Sequence, residues 1–262
     1  MSVFSAEIGN NKIRYVKFGE GSKNFVIIPG LSLTSVMNSA PAIESAYSIF
    51  SKDYTVYLFD RAERVNEKPT IKDFADDIVK AMDVIGFESA YFAGFSQGGM
   101  IAQQIALDHP EKVIKMVVGS SASRLCDKAK ANIEKWIKLA DEDTPVSLNR
   151  SFFELVYSQA FLDAVGSETV AFLEQQGTKE DMEKFKKVAS ACLTFDAYDK
   201  LSDIKCDTLV IAGGEDKVLT ADASCEMAKK IGCEIFVYEN GSHASYDEAP
   251  DYKEKMKNFF EK

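Results

Sequence analysis

The chain is poor in the residues that usually build metal centres and disulfide frameworks. Only two histidines occur in 262 residues, His109 and His243, and there is no His-Glu-x-x-His, so no metal site is expected. The five cysteines (Cys126, Cys192, Cys206, Cys225 and Cys233) are odd in number and form no Cys-x-x-Cys pair. Free thiols in a reducing cytosol are the expectation, and with them a cytoplasmic location. No apolar run approaches the roughly 20 residues of a membrane span. The segment from Met1 to Gly9 has no basic stretch leading into an apolar one, so no signal peptide is expected. Basic charge is also in deficit: 31 Lys and Arg stand against 41 Asp and Glu, a net charge of −10. That balance disfavours nucleic acid and anionic membrane surfaces as partners, and mildly disfavours anionic substrates. No internal repeat or low-complexity linker divides the sequence.

Against these absences stands one pointed presence, Gly94-Phe95-Ser96-Gln97-Gly98. A β-type run (Glu88 to Phe92) leads into it and a helix-type run (Met100 to Leu107) leads out. Gly-x-Ser-x-Gly between strand and helix is the pattern of a nucleophile elbow, a turn sharp enough to strain its serine and expose the hydroxyl. A side chain at Gly94 or Gly98 would collide with a neighbouring element. Ser96 would sit just ahead of a helix N-terminus, where unpaired N–H groups favour developing negative charge. A dinucleotide-binding turn would need glycine where Ser96 stands, and no Gly-Lys-Ser/Thr follows, so no phosphate-bearing cofactor is expected. The pentapeptide arises by chance in about one chain in ten of this length, so its partners decide the reading.

A serine hydroxyl needs a base, and the base needs a carboxylate to fix its tautomer. His243 lies beyond the elbow in Asn240-Gly241-Ser242-His243, a loop that follows a strand-like run. Between the two lies Gly213-Gly214-Glu215-Asp216, again just past a strand end. The order Ser96, Asp216, His243 is the one that accompanies an elbow of this kind. Glu215, Asp203, Asp207 and Asp222 compete for the acid role, and Asp216 is preferred. His109, beside Pro110 at a helix end, reads as structural. An oxyanion hole needs two N–H donors. Gln97, after the nucleophile, supplies one; Pro29 has no N–H and Gly30 shapes the turn, so Leu31 supplies the other.

The rest of the chain alternates in a regular way. Val3–Ile8 and Lys12–Phe18 flank Gly9-Asn10-Asn11 as an opening hairpin, and strands are expected at 24–28, 54–59, 113–119, 207–213 and 234–238. A helix is expected around Pro41–Phe50. Another opens at Thr70 with Asp73 as its capping box, carries Ile71, Phe74, Ile78, Met82 and Ile85 on one face, and stops at Gly86. Alternating strands and helices imply an α/β fold, a mostly parallel sheet with helices on both faces. From Ala122 to Asp199 the alternation lapses into helix-like segments, which read as an insertion over the sheet's carboxyl edge. The expected organisation is a core of residues 1–121 and 200–262 with a helical cap of residues 122–199.

These features together make the chain resemble the α/β-hydrolase superfamily, specifically its small capped esterase-like members. The likeness lies in Pro29-Gly30-Leu31, Asp60-Arg61, the elbow with Gly99-Met100-Ile101-Ala102, His109-Pro110-Glu111, Gly213-Gly214-Glu215-Asp216, Gly241-Ser242-His243 and Glu248-Ala249-Pro250. The superfamily commonly has His-Gly where this chain has Pro29-Gly30, and a Gly-x-Gly-x-Ser loop where Ala62 to Glu67 follow Asp60-Arg61. The resemblance implies hydrolysis of a small carboxylic ester or thioester through an acyl-enzyme on Ser96, without a cofactor. It equally accommodates carbon–carbon bond hydrolysis, perhydrolysis, lyase or aminopeptidase chemistry, or a ligand receptor. Met100, Phe152, Phe153, Tyr157 and Phe161 are expected to line an apolar pocket for a small ester-like molecule. Neither a nucleic-acid nor a membrane partner is expected, and the sequence is silent on oligomeric state.

Overall fold

The structure, a computed structural model, describes residues 2–142 and 144–262. The chain opens with the hairpin β1 (Phe4–Ile8) and β2 (Asn11–Phe18), then β3 (Lys23–Ile28), α1 (Ala40–Ala46), β4 (Tyr54–Phe59) and α2 (Ile71–Ile85). The elbow joins β5 (Ala90–Phe95) to α3 (Gln97–Asp108), and β6 (Val113–Gly119) follows. Five helices come next: α4 (Asp127–Leu139), α5 (Val146–Val156), α6 (Gln159–Val165), α7 (Ser167–Glu174) and α8 (Lys179–Leu193). The chain closes with β7 (Asp207–Gly213), α9 (Ala221–Ile231), β8 (Glu234–Tyr238), α10 (Ser245–Glu248) and α11 (Tyr252–Glu261). Between β6 and β7 the described residues contain no strand beyond a lone bridge of Arg124 with Asp196.

All eight strands form one sheet in the order β1-β2-β4-β3-β5-β6-β7-β8. Pairing is antiparallel from β1 to β2 and β2 to β4, and parallel across the rest. After β3 the chain steps outward to β4, then returns to β5 on the other side of β3. The order therefore reverses between β3 and β5, where Ile28 pairs with Gly94. At such a switch point two exit loops diverge and leave a crevice. The loop after β3 carries Pro29 to Leu31 and the turn after β5 carries Ser96, so the topology alone brings the two together.

Helices cover both faces because the central strands are apolar on both sides. Val26 and Ile28 of β3 point into one core with α2, α3, α4, α8 and α9, while Phe25 and Ile27 point into the other with α1 and α11. Helix α2 shows how the sequence dictates such an element. Thr70 and Asp73 form the reciprocal capping box, and Gly86 ends the helix at φ 96°. Ile71, Phe74, Ile78 and Met82 are buried, each contributing about 1.5–3 kcal/mol. Tyr252, Met256, Phe259 and Phe260 likewise form the buried face of α11.

Two elements depart from the sequence reading. The expected helix of Pro41–Phe50 breaks at Tyr47 into α1 and a 3₁₀ turn of Ser48–Phe50, which seats Phe50 in the core. Strand β5 runs on to Phe95 and α3 begins at Gln97 rather than Met100. The adjacent Gly98 and Gly99 have poor helix propensity, yet close packing requires them. A Cβ on Gly98 would stand 2.0 Å from the Ile28 carbonyl oxygen and 2.6 Å from that of Pro29. Because both obstacles are backbone, Gly98→Ala is expected to cost about 3 kcal/mol. Urea unfolding of the variant and the parent checks this, and an unchanged midpoint would refute so tight a contact.

Candidate active site

Ser96 occupies the elbow with φ 53° and ψ −121°, in the left-handed half of backbone space. For a residue with a side chain this costs on the order of 1–3 kcal/mol, so the surroundings must hold it there. Ser96 N–H donates to the Gly119 carbonyl at 2.9 Å. Its own carbonyl accepts from Gly99 N–H at 2.9 Å and from the Ser121 hydroxyl at 2.7 Å. Gly94 lets the turn close, since a Cβ there would meet the Gly98 carbonyl oxygen at 2.3 Å. Among the described residues the Ser96 hydroxyl has no hydrogen-bond partner.

Asp216 and His243 are brought together as a buried pair. The Asp216 Oδ2 carboxylate oxygen accepts from His243 Nδ1 at 2.8 Å, with both side chains almost wholly excluded from solvent. Asp216 Oδ1 accepts from the Val218 and Leu219 N–H groups at 2.7 and 3.0 Å, which fixes the carboxylate at the exit of β7. Burial pushes the Asp216 carboxyl up, but the His243 charge, the ring hydrogen bond and the two amides outweigh it and hold it below the usual range. Glu215 is exposed, and so is Asp207; Asp216 alone of the competing carboxylates pairs with the imidazole.

Tyr246 places the imidazole beside the elbow. Its ring packs 4.8 Å from that of Phe95 and edge-on to His243 at 6.4 Å. The His243 loop is also tied to the helices after β6. Ala244 N–H donates to the Val156 carbonyl at 2.9 Å. Glu248 accepts from Ser158 N–H at 2.8 Å and from the Ser242 hydroxyl at 2.9 Å. The hydrogen bond between Ser96 and His243 is not made among the described residues. Such contacts often close only when substrate binds.

The N–H groups of Leu31 and Gln97 are both left without an acceptor among the described residues. Gly30 lies against the nucleophile: a Cβ there would stand 3.0 Å from Ser96 Cβ and 3.7 Å from Oγ. Its role is therefore close approach to Ser96. A network missed by sequence reasoning braces the two loops. Arg61 donates to the Gln97 side-chain oxygen from Nε and Nη2 (3.2 and 2.9 Å), and from Nη2 to the Pro29 carbonyl at 2.8 Å. Gln97 Nε2 in turn donates to the Val188 carbonyl at 2.7 Å and to Cys192 Sγ at 3.2 Å, both on α8. Burial lowers the Arg61 guanidinium to about 10, with Asp60 opposing, so it stays charged at neutral pH. The Asp60-Arg61 pair was legible in the sequence, but nothing there pointed it at Gln97.

The cavity nearest the elbow is lined by residues other than those the sequence suggested for a pocket. A cavity of about 70 Å³ lies between the β3 exit loop and α8, and none of Met100, Phe152, Phe153, Tyr157 and Phe161 lines it. Met100 is consumed by the core because its place on α3 turns it toward the neighbouring elements. Phe152 packs on buried Trp136 at 4.8 Å, and Tyr157 stacks on Phe161 at 5.0 Å and meets Phe153 edge-on at 6.2 Å, so these rings contribute to helix packing. His109 caps the end of α3 and approaches Asp76 at 3.5 Å, consistent with a structural role.

The lowered Asp216 carboxyl makes a stability prediction. Its folded-state value lies below its unfolded value, so its contribution is present above about pH 4 and is lost as pH falls through the folded value. The stability difference between the parent and Asp216→Asn should therefore shrink in urea titrations carried from pH 6 toward pH 3. A difference that stays constant over that range would contradict the paired carboxylate.

The family model described as alpha/beta hydrolase fold matches residues 23–250. A 3-oxoadipate enol-lactonase of Acinetobacter baylyi is 26% identical over 191 residues, covering 71% of this chain and 69% of its own. An (E)-2-((N-methylformamido)methylene)succinate hydrolase of the same organism is 25% identical over 257 residues, covering 94% and 92%. Among solved structures, an α/β-hydrolase enzyme from a Medee basin deep-sea metagenome library superposes with TM-score 0.87 at 21% identity, covering 100% of this chain and 98% of that one. The fold, the matched span and these hydrolase relatives lead to one conclusion: the chain belongs to the α/β-hydrolase family and is a hydrolase.

Proposed function

We propose that the protein hydrolyses a small carboxylic ester or thioester through an acyl-enzyme on Ser96. The observation that carries this reading is the buried Asp216–His243 pair, 2.8 Å apart, beside a serine in strained backbone with no competing hydrogen bond. Without the imidazole the hydroxyl would be a weak nucleophile; without the carboxylate the imidazole would have no fixed tautomer. His243 Nε2 takes the proton as Ser96 Oγ bonds to the acyl carbon. The oxyanion is held by the N–H groups of Leu31 and Gln97. His243 then delivers the proton to the leaving oxygen or sulfur as that bond breaks. In the second half water loses a proton to His243, attacks the acyl carbon, and releases the acid and Ser96. Asp216 stays ionised throughout and stabilises the imidazolium.

One relative is named an enol-lactonase, which supports an ester as the bond cleaved. In this reading residues 122–199 act as a cap, supported by the tethers of Val156, Ser158, Val188 and Cys192 to the site loops. An aminopeptidase reading finds no support: Glu154, Asp163 and Glu168 are exposed and Glu174 is engaged by Arg150 at 2.9 Å.

Ser96→Ala is expected to fold and to lose about 10⁶ in kcat. A fluorophosphonate should phosphonylate Ser96 with loss of fluoride, and peptide mass spectrometry locates the adduct. Labelling of a different serine would sink the assignment. Asp216→Asn should cost about 10⁴ in kcat, whereas Glu215→Gln should leave it near the parent value. Equal losses would remove Asp216 from the acid role.

A further inference from the structure

The cavity beside the nucleophile has an electrostatic character that the net charge of the chain conceals. Pro29 and Gly30 line it, and Gly30 abuts Ser96, so the cavity and the nucleophile share the loop after β3. Arg14, Arg61 and Lys184 border it, against the carboxylates of Asp60 and Asp181.

Both carboxylates already accept hydrogen bonds from within the protein. Asp60 accepts from the Ser35 hydroxyl, from Arg61 N–H at 2.8 Å and from Arg14 Nη2 at 3.4 Å. Asp181 accepts from the Thr178 N–H and hydroxyl at 2.8 and 2.7 Å, as the cap of α8. Arg61 is spent on Gln97 and Pro29. Two cations remain under-used. Arg14 makes a single long contact to Asp60, with its side chain 41% exposed. Lys184 makes no hydrogen bond or ion pair among the described residues, although it is half-buried.

Burial disfavours the charge of Lys184; Asp60 and, more weakly, Glu63 oppose this, while Arg14 and Arg61 add to it. An unpaired, partly desolvated ammonium beside two guanidinium groups is costly unless an anion joins it. The surplus of negative charge elsewhere on the chain does not cancel this local field. Exposed charges beyond about 8 Å are largely screened at physiological ionic strength.

We infer that this cavity binds a carboxylate of the substrate, so that the ester cleaved at Ser96 belongs to a small carboxylate-bearing molecule anchored by Lys184 and Arg14. The volume agrees: about 70 Å³ gives room for only a carboxylate and a short linker, since one water alone takes about 10–15 Å³ on this measure. The assignment of the reacting bond rests on the proposed serine chemistry, whereas the anion site itself does not. It replaces the apolar pocket expected from the sequence with a polar one.

The test separates binding from turnover. Glutarate and its uncharged isostere glutaramide are titrated by calorimetry into the parent protein, Lys184→Met and Lys184→Arg. Glutarate should bind the parent and glutaramide should not. Lys184→Met should weaken glutarate at least tenfold, about 1.4 kcal/mol, and Lys184→Arg should retain most of the affinity. Equal binding of the two probes, no binding of glutarate at millimolar concentration, or an unchanged Kd in Lys184→Met would overturn the site. In the kinetic arm, the kcat/KM ratio of monoethyl glutarate to its carboxamide analogue should fall at least tenfold in Lys184→Met, chiefly through KM. Fluorophosphonate labelling of Ser96 with no discrimination between the probes would overturn the anion site and leave the nucleophile standing. Discrimination lost in Lys184→Met without labelling would do the reverse.

Discussion

The contact on which the site depends is the approach of α3 to the end of β3, with Gly98 against the carbonyl oxygens of Ile28 and Pro29. At 2.0 and 2.6 Å from an added Cβ there is no room for any side chain. This closeness lets α3 begin at once after β5, and so fixes Ser96 in a backbone conformation it would not adopt in isolation. The strain is countered by hydrogen bonds from β6 and its exit loop, through Gly119 and Ser121. The N–H groups of Gln97 and Leu31, on the two loops that this approach brings together, have no acceptor among the described residues. Packing, strain and electrostatics at this edge therefore have a single geometric origin.

Charge is arranged around the elbow in two separate systems. On one side Asp216 is buried with His243 and held ionised by amides, a stable pair that needs no solvent. On the other, Arg61 is buried as a brace, bonding the loop after β3 to the side chain of Gln97, which reaches on to α8. Its charge-assisted bonds are stronger than neutral ones, which suits a group that must keep two loops in register. Lys184 differs from both in having no hydrogen-bond or ion-pair partner among the described residues, as the proposed anion site requires.

Much of the architecture was legible in the sequence because it rests on local rules. The capping box of Thr70 and Asp73, the stop at Gly86 and the apolar faces of α2 and α11 follow from periodicity and turn chemistry. So do the strands, whereas the start of α3 was placed too late because Gly98 and Gly99 argue against helix. The placement of Ser96, Asp216 and His243 was legible as well, since each sits just past a strand. Which side chains border a cavity was not legible, for a physical reason. Aromatic residues in an amphipathic segment look alike whether they face a ligand or one another, and Phe152 on Trp136 faces a neighbour.

The sequence by itself determined which residues could carry the chemistry, because backbone turns and strand ends are specified by residues adjacent in the chain. Tertiary structure alone decided which groups meet. Arg61 and Gln97 lie 36 positions apart, and Gln97 and Val188 lie 91 apart. Nothing local foretells such pairings, because each side chain's partner depends on how helices and loops pack across the sheet edge. The same holds for Lys184 and Arg14, which converge on one cavity from α8 and β2. Lys184 is left without a partner among the described residues only once folding has half-buried it and placed Asp60 against Arg14, Arg61 and Ser35.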